Sequence, residues 1–298
     1  EGFFSTWPGL TFELVSKYLP EDTEETAAGH LHRRRQGIRS TKNKNTIEIM
    51  EPELPGLGTL NPNREERIGV HLVSREELII DLNGTISTDQ TGRFPIVSQQ
   101  GNQYTMVLYN YDSNAILAEA CPSRTATDLE TTYNKLYQRL IKSGIVPVIQ
   151  RIDNEVSKIL IESIESKNLR YQLASPHDHR LNPAERAIQT WKNHFISNLH
   201  GCDREFPAYK WCEIIHQCEM TLNMLRRSRI NPKMSAYTQL FGLFDYNRTP
   251  LAPLGTKAFV HERTTQRTSN ADHGKVGFVI GPSPQHYRHM NFYIPSTR

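Results

Sequence analysis

The chain has 298 residues and a mass of 34.3 kDa, room for about two domains, and its 37% hydrophobic content fits an ordinary folded core. No stretch approaches the roughly 18–20 apolar residues of a membrane-spanning helix. The net charge of +3 is mild, so its distribution says more than its total: Thr26 to Thr46 holds Arg33, Arg34, Arg35, Arg39, Lys42 and Lys44 with no acid, and Tyr246 to Arg298 holds seven Lys or Arg against Glu262 and Asp272. Basic flanks around a balanced middle are the electrostatic footprint of a nucleic-acid partner. The four cysteines, Cys121, Cys202, Cys212 and Cys218, contain no Cys-x-x-Cys pair and follow no secretory signal, so reduced thiols in an intracellular compartment are expected.

Residues 1 to about 75 read as a mixed segment. Trp7 through Pro20 suggests one small helix, and the basic run followed by the Pro/Gly-rich Glu51 to Asn63 reads as linker. A charge run of this kind is more often a solvated stretch than a nucleic-acid arm or nuclear-import signal. Asp81 ends an earlier strand before the Asn83-Gly84 turn signal. Thr85 to Thr91 (TISTDQT) then reads as a β-branched strand carrying Asp89, and Tyr104 to Tyr111 as the strand returning beside it, with Asp112 forming a turn.

The run Val146 to Ile152 reads as a buried strand ending abruptly at Asp153-Asn154, which places an acid where open α/β sheets hold their ligands. Asn182-Pro183-Ala184-Glu185 opens a helix: Asn182 suits the N-cap, Pro183 the first position, and Glu185 the first turn. Ala184, Ile188, Trp191, Phe195 and Leu199 form a stripe that should face the core, while Gln189 and Lys192, four and seven positions after Glu185, should point where Glu185 points. Phe206 to Phe241 reads as one or two helices broken at Asn231-Pro232, with Cys212, His216 and Cys218 as core or interface residues of a helix from Tyr209 to Arg226. Lys257 to His261, Lys275 to Ile280 and Asn291 to Ile294 are short β-like runs that suggest a small barrel of about fifty residues, too small to be stable alone.

Asp89, Asp153 and Glu185 are thus set to converge from a strand, a neighbouring strand and a helix. Three such carboxylates could hold two Mg²⁺ ions about 3.5–4 Å apart and support phosphodiester chemistry. Each acid also has a plain structural reading: Glu185 as a capping residue, Asp153-Asn154 as a strand-ending turn, Asp89 as a surface acid. Their joint occurrence in this order favours the metal site.

Asp89-Gln90-Thr91-Gly92, Asp153-Asn154-Glu155 and Asn182-Pro183-Ala184-Glu185-Arg186, in the order strand, hairpin, helix, strand, helix, helix, resemble the catalytic core of retroviral and LTR-retrotransposon integrases over about residues 80 to 245. The resemblance implies an α/β fold: an RNase H-like mixed five-stranded sheet flanked by helices, plus a small C-terminal SH3-like β-barrel. It divides the chain into an N-terminal segment and basic linker (1–75), a catalytic core (76–245) and a DNA-binding SH3-like module (250–298). The Asp-Asp-Glu triad falls on Asp89, Asp153 and Glu185. Two departures stand out: the last two acids are 185 − 153 = 32 residues apart, a few fewer than the usual retroviral spacing, and the loop Ser175 to Arg180 lacks a glycine often found there. The N-terminal His-His-Cys-Cys zinc module of many integrases has no counterpart, because His30 and His32 precede the first cysteine by about ninety residues.

The resemblance implies Mg²⁺-dependent (Mn²⁺ as substitute) 3′-end processing and strand transfer, on element ends and target DNA, by a homo-oligomer with no membrane partner. Action in the nucleus is expected, after passage through a cytoplasmic virus-like particle. The start at Glu1 rather than Met fits a fragment or a product cut from a polyprotein. The expected DNA contacts are Arg186, Gln189 and Lys192 on the helix, His179 in the loop before it (with His177 beside it), and Arg263, Arg267, Lys275 and Arg288 at the C-terminal end, where His261, His286 and His289 add to the basic surface. The alternatives are a catalytically inactive or host-captured integrase-like DNA-binding protein, and another RNase H-like nuclease or transposase.

Overall fold

A computed structural model describes residues 11–18, 23–30, 83–153, 157–173, 183–262, 265, 268 and 271–296. Among the features read from the sequence, the basic run at 33–44, the Pro/Gly-rich 51–63, Asp81 and the loop at 175–180 lie wholly outside these residues.

β1 (Thr85–Gln90), β2 (Tyr104–Asn110) and β3 (Ala115–Cys121) form an antiparallel meander. The turn from β2 to β3 passes through Asn114 at φ 57, a conformation asparagine tolerates better than most residues. α3 (Ala126–Lys142) follows, its N-terminus capped by Thr125, whose side chain accepts from Asp128 N at 3.4 Å. Tyr133, Leu136, Tyr137 and Leu140 recur at helical spacing and are buried. Gly144, at φ 83, turns the chain back into β4 (Ile149–Ile152), which lies parallel to β1.

The expected strand from Val146 is shorter than its hydrophobicity suggests. Val146 and Val148 are exposed (70% and 46%) and lie before the first ladder residue, Ile149, so the apolar run is an approach to the strand as much as a strand. α4 (Lys158–Glu165) crosses to β5 (Arg170–Leu173), parallel to β4, which completes a sheet of order β3-β2-β1-β4-β5.

Helices cover both faces. On one side α5 (Pro183–His200) and α6 (Ile215–Leu225) bury Ile188, Trp191, Phe195, Ile215 and Cys218 against Val107, Tyr109, Ile116 and Ala118. On the other, α3, α4 and α7 (Ala236–Phe241) enclose Ile86, Leu108, Leu117, Ile152 and Leu240. The helix expected from Tyr209 to Arg226 is broken into a 3-10 turn, Ala208–Lys210, and α6. Trp211 explains the break. It is wholly buried, stacks on Phe94 at 4.5 Å between centroids, and donates its indole N–H to Ile96 O at 2.8 Å, so the chain bends to seat it.

In the N-terminal segment, α1 (Phe12–Tyr18) falls within the stretch expected to be helical. α2 (Glu24–His30) has no counterpart among the sequence expectations and packs on α5.

The C-terminal part is a three-stranded antiparallel sheet, β6 (Lys257–His261), β7 (Gly274–Pro282) and β8 (Met290–Tyr293), with a bulge between Val279 and Gly281. Among the described residues this is a sheet of three strands, and the closed SH3-like barrel that the resemblance implies is not shown. The expectation that so small a module must pack on something holds. Phe278 meets Phe206 edge-on at 5.9 Å, Lys210 Nζ lies 4.3 Å from the centre of the Tyr293 ring, and Gln217 donates to Ala252 O at 2.7 Å.

Candidate active site

The parallel register of β1 and β4 sets the site. Thr85, Ile86 and Ser87 lie opposite Ile149, Gln150 and Arg151. Two residues further along each strand, the same register brings Asp89 level with Asp153, on strands about 4.8 Å apart.

Both acids face α5. Asp89 lies opposite Val107 on β2, and Val107 belongs to the core beneath α5, so Asp89 shares that face. Ile152 is buried in the opposite core, and strand alternation turns its successor Asp153 to the α5 side. Glu185 stands exposed in the first turn of α5, which packs on β1 and β2.

Asp89 reports this convergence electrostatically. Its carboxyl is held above the usual carboxylate range, chiefly by burial and further by the negative charges of Asp153 and Glu185. Two groups oppose the shift: the Gln90 N–H, which donates to Asp89 Oδ1 at 2.6 Å, and the ammonium of Lys192. Lys192 therefore points toward the acids, as its spacing from Glu185 predicts.

The core is RNase H-like. Its mixed five-stranded sheet, with three antiparallel strands followed by two parallel ones and helices on both faces, is the architecture expected from the three acidic motifs. Among solved structures, the chain is similar to the catalytic core domain of BIV integrase, with a TM-score of 0.39 and 14% identity over 53% of this chain and 93% of that one. It is also similar to a chain of the simian T-cell lymphotropic virus intasome in complex with PP2A regulatory subunit B56 gamma, with a TM-score of 0.42 and 11% identity over 70% of this chain and 75% of that one. No protein-family model and no curated protein matches the sequence.

The donor chemistry suits a divalent cation: three carboxylates at one end of a sheet, one with its charge disfavoured by the other two. The spacing does not. Among the described residues, no three His, Cys, Asp or Glu side chains stand close enough together to hold a metal ion. Asp89, Asp153 and Glu185 share an end of the sheet without sharing a coordination sphere.

Arg186, Gln189 and Lys192 are exposed on α5. Lys275 ion-pairs with Glu262, which partly neutralises it, and Arg288 is exposed at φ 58. His177, His179, Arg263 and Arg267 lie outside the described residues, as do Asn154, Glu155 and the N-cap position Asn182. Cys218 is buried in the core and Cys212 packs against it, which agrees with their reading as core residues.

Residue-level reading missed the ties between α6 and the edge strand β3. Glu219, buried on α6, accepts from Ala118 N at 2.8 Å and pairs with Arg139 of α3, while Asn223 one turn on bonds both backbone groups of Ile116. The available signal was two polar residues four apart, Glu219 and Asn223, on a helix otherwise rich in Met, Leu and Cys.

Proposed function

We propose that this protein is an integrase-type polynucleotidyl transferase that processes DNA 3′ ends and joins them to target DNA. One observation supports the reading above the others: the β1–β4 register carries Asp89 and Asp153 to the same level on adjacent strands and the same face as Glu185.

In this reading Asp89, Asp153 and Glu185 are the reaction's acids, and Lys192, with Arg186 and Gln189 beside it, meets the DNA backbone. Mg²⁺ or Mn²⁺, when bound by the three carboxylates, would supply charge neutralisation and an activated oxygen nucleophile. The carboxylate spacing in this structure does not meet an ion's needs, so no step is assigned to the metal. The chain's own part is to gather negative charge at one end of the sheet, to set the Lys192 ammonium beside it, and to present both on a helix whose other face is locked into the core. Action on DNA within a nucleus, by a homo-oligomer, belongs to the same proposal.

The test is a strand-transfer assay in Mg²⁺ with labelled duplexes bearing terminal sequences of the element, comparing wild type with Asp153→Asn. Joined products from the wild type that vanish in the variant support the reading. Equal joining by both proteins would overturn the assignment of Asp153. Cleavage without joining would favour another RNase H-like nuclease, and binding with neither reaction a non-catalytic DNA-binding protein.

A further inference from the structure

A second charged surface lies at the end of the sheet opposite the acids. From Leu225 to Ser235 the chain carries Arg226, Arg227, Arg229 and Lys233 and no acid. This loop is tightly organised. Arg227 bridges to Ser235, Ser228 N donates to Met234 O at 3.0 Å, and Met234 N to Asn231 O at 2.9 Å. It is pinned to the sheet by Arg229 N, which donates to Asp112 O at 3.0 Å.

Two guanidinium groups are held side by side against tyrosines. Arg229 lies 4.1 Å from the centre of the Tyr111 ring and donates to Tyr111 O at 2.7 Å and to the Tyr109 hydroxyl. Arg226 lies 6.0 Å from the Tyr109 ring and donates to Asn114 O at 2.7 Å and Asn114 Oδ1 at 2.6 Å. Neither forms an ion pair with an acid of the described residues. Asp112, whose carbonyl accepts from Arg229 N, turns its Oδ2 to Gly84 N at 2.8 Å. Arg229 is exposed and Arg226 half-buried, and the two share the Tyr109 ring with no ion-pair partner of their own among the described residues, although like charges at close range repel. Lys233 and the tip residue Ile230 (61% exposed) stand beyond them in solvent.

We infer that the Arg226–Lys233 loop is a second DNA-backbone contact, binding phosphates away from the reacting bond. It rests on the proposed function for its choice of polyanion. Tyr111 N donates to Thr85 O, so the loop sits at the start of β1, while Asp89 is four residues further along, about 13 Å at strand rise. That exceeds the screening length of about 8 Å at physiological salt, so the loop neutralises something other than the acids. It also matches about four base pairs of duplex, a distance one bound DNA can span.

The experiment is fluorescence anisotropy of a labelled duplex from 50 to 200 mM salt with wild type, Arg229→Gln, Lys233→Gln and the double variant. Each phosphate contact contributes about −0.9 to the slope of log affinity against log salt. The double variant should lose close to two units of slope, and each lost contact should change the affinity ratio across this range by about 3.5-fold. Unchanged slopes in folded variants would overturn the inference. So would variants that lose binding to poly-glutamate while keeping the duplex slope, since the surface would then serve an acidic protein. The Lys233 side chain makes no hydrogen bond or ion pair among the described residues, so its single variant carries the test if Arg229→Gln fails to fold. Failure of the integrase reading is separable: a protein that never joins DNA but shows the loop-dependent slope keeps this surface and loses that activity.

Discussion

The side chain of Asn223 stands in for a neighbouring strand at Ile116. Its Oδ1 accepts from Ile116 N at 2.9 Å, and its Nδ2 donates to Ile116 O at 2.8 Å. β3 is an edge strand, and an edge left open invites pairing with another chain. Glu219 and Arg139 extend the same seal to Ala118, whose N–H is taken by Glu219 and whose carbonyl accepts from Arg139 at 3.2 Å. Asn223→Leu leaves two buried backbone groups without partners, each costing about 1–3 kcal/mol. Urea denaturation should show a loss of about 2–6 kcal/mol, with aggregation in light scattering. A loss under about 1 kcal/mol would mean water replaces the side chain at no cost.

Gly29 presses against α5 so closely that a Cβ there would lie 2.0 Å from Ser197 Oγ and 2.4 Å from Asn193 O. Gly29→Leu should detach α2 from the helix that carries Glu185. Hydrogen exchange should rise in residues 24–30 while β1 and β2 keep their protection. Unchanged exchange in α2 would show that the contact does not hold it.

Asp89 gives a pH-dependent prediction with a definite sign. A carboxyl whose folded pKa is raised favours folding most when protonated, so this contribution is full below the ordinary value of 3.8 and is lost as pH rises through the folded pKa. Asp89→Asn should therefore melt above the wild type at neutral pH, and the advantage should disappear below about pH 3.8. A variant that is less stable at neutral pH would contradict the crowding of negative charge at this site.

His194 behaves in the opposite sense. Burial pushes its imidazole down to about 4, and its Nε2 lies 3.0 Å from Thr221 Oγ1, across the α5–α6 interface. The unfolded chain takes up a proton near 6.5 that the folded chain refuses, so stability is full above 6.5 and falls between 6.5 and about 4. The slope should approach about 1.4 kcal/mol per pH unit at most. In His194→Gln this part of the acid destabilisation should be absent from denaturation curves taken across that pH window.

Lys192→Glu places a fourth negative charge beside the three acids. Duplex affinity should fall and the salt slope become shallower by about one unit. An unchanged slope would assign Lys192 to the acids alone.

By itself the sequence determined several of the elements and where their acids sit. β-branched alternation marks β1, Pro183 marks the start of α5, and the Ile188, Trp191 and Phe195 stripe marks its buried face, because these are local consequences of backbone period and capping. Asp89 and Asp153 could be named in advance for the same reason: each follows a short apolar or β-branched run. Only the tertiary structure decided relations between residues far apart in the chain. That Asn223 would seal β3, that Gly29 would fit against Ser197, that Arg226 and Arg229 would share one tyrosine, and that the three carboxylates would converge short of a common coordination sphere all depend on distances set by the packing of helices on a twisted sheet. Local propensity carries no information about such distances, since each is fixed by the sum of many contacts across both cores.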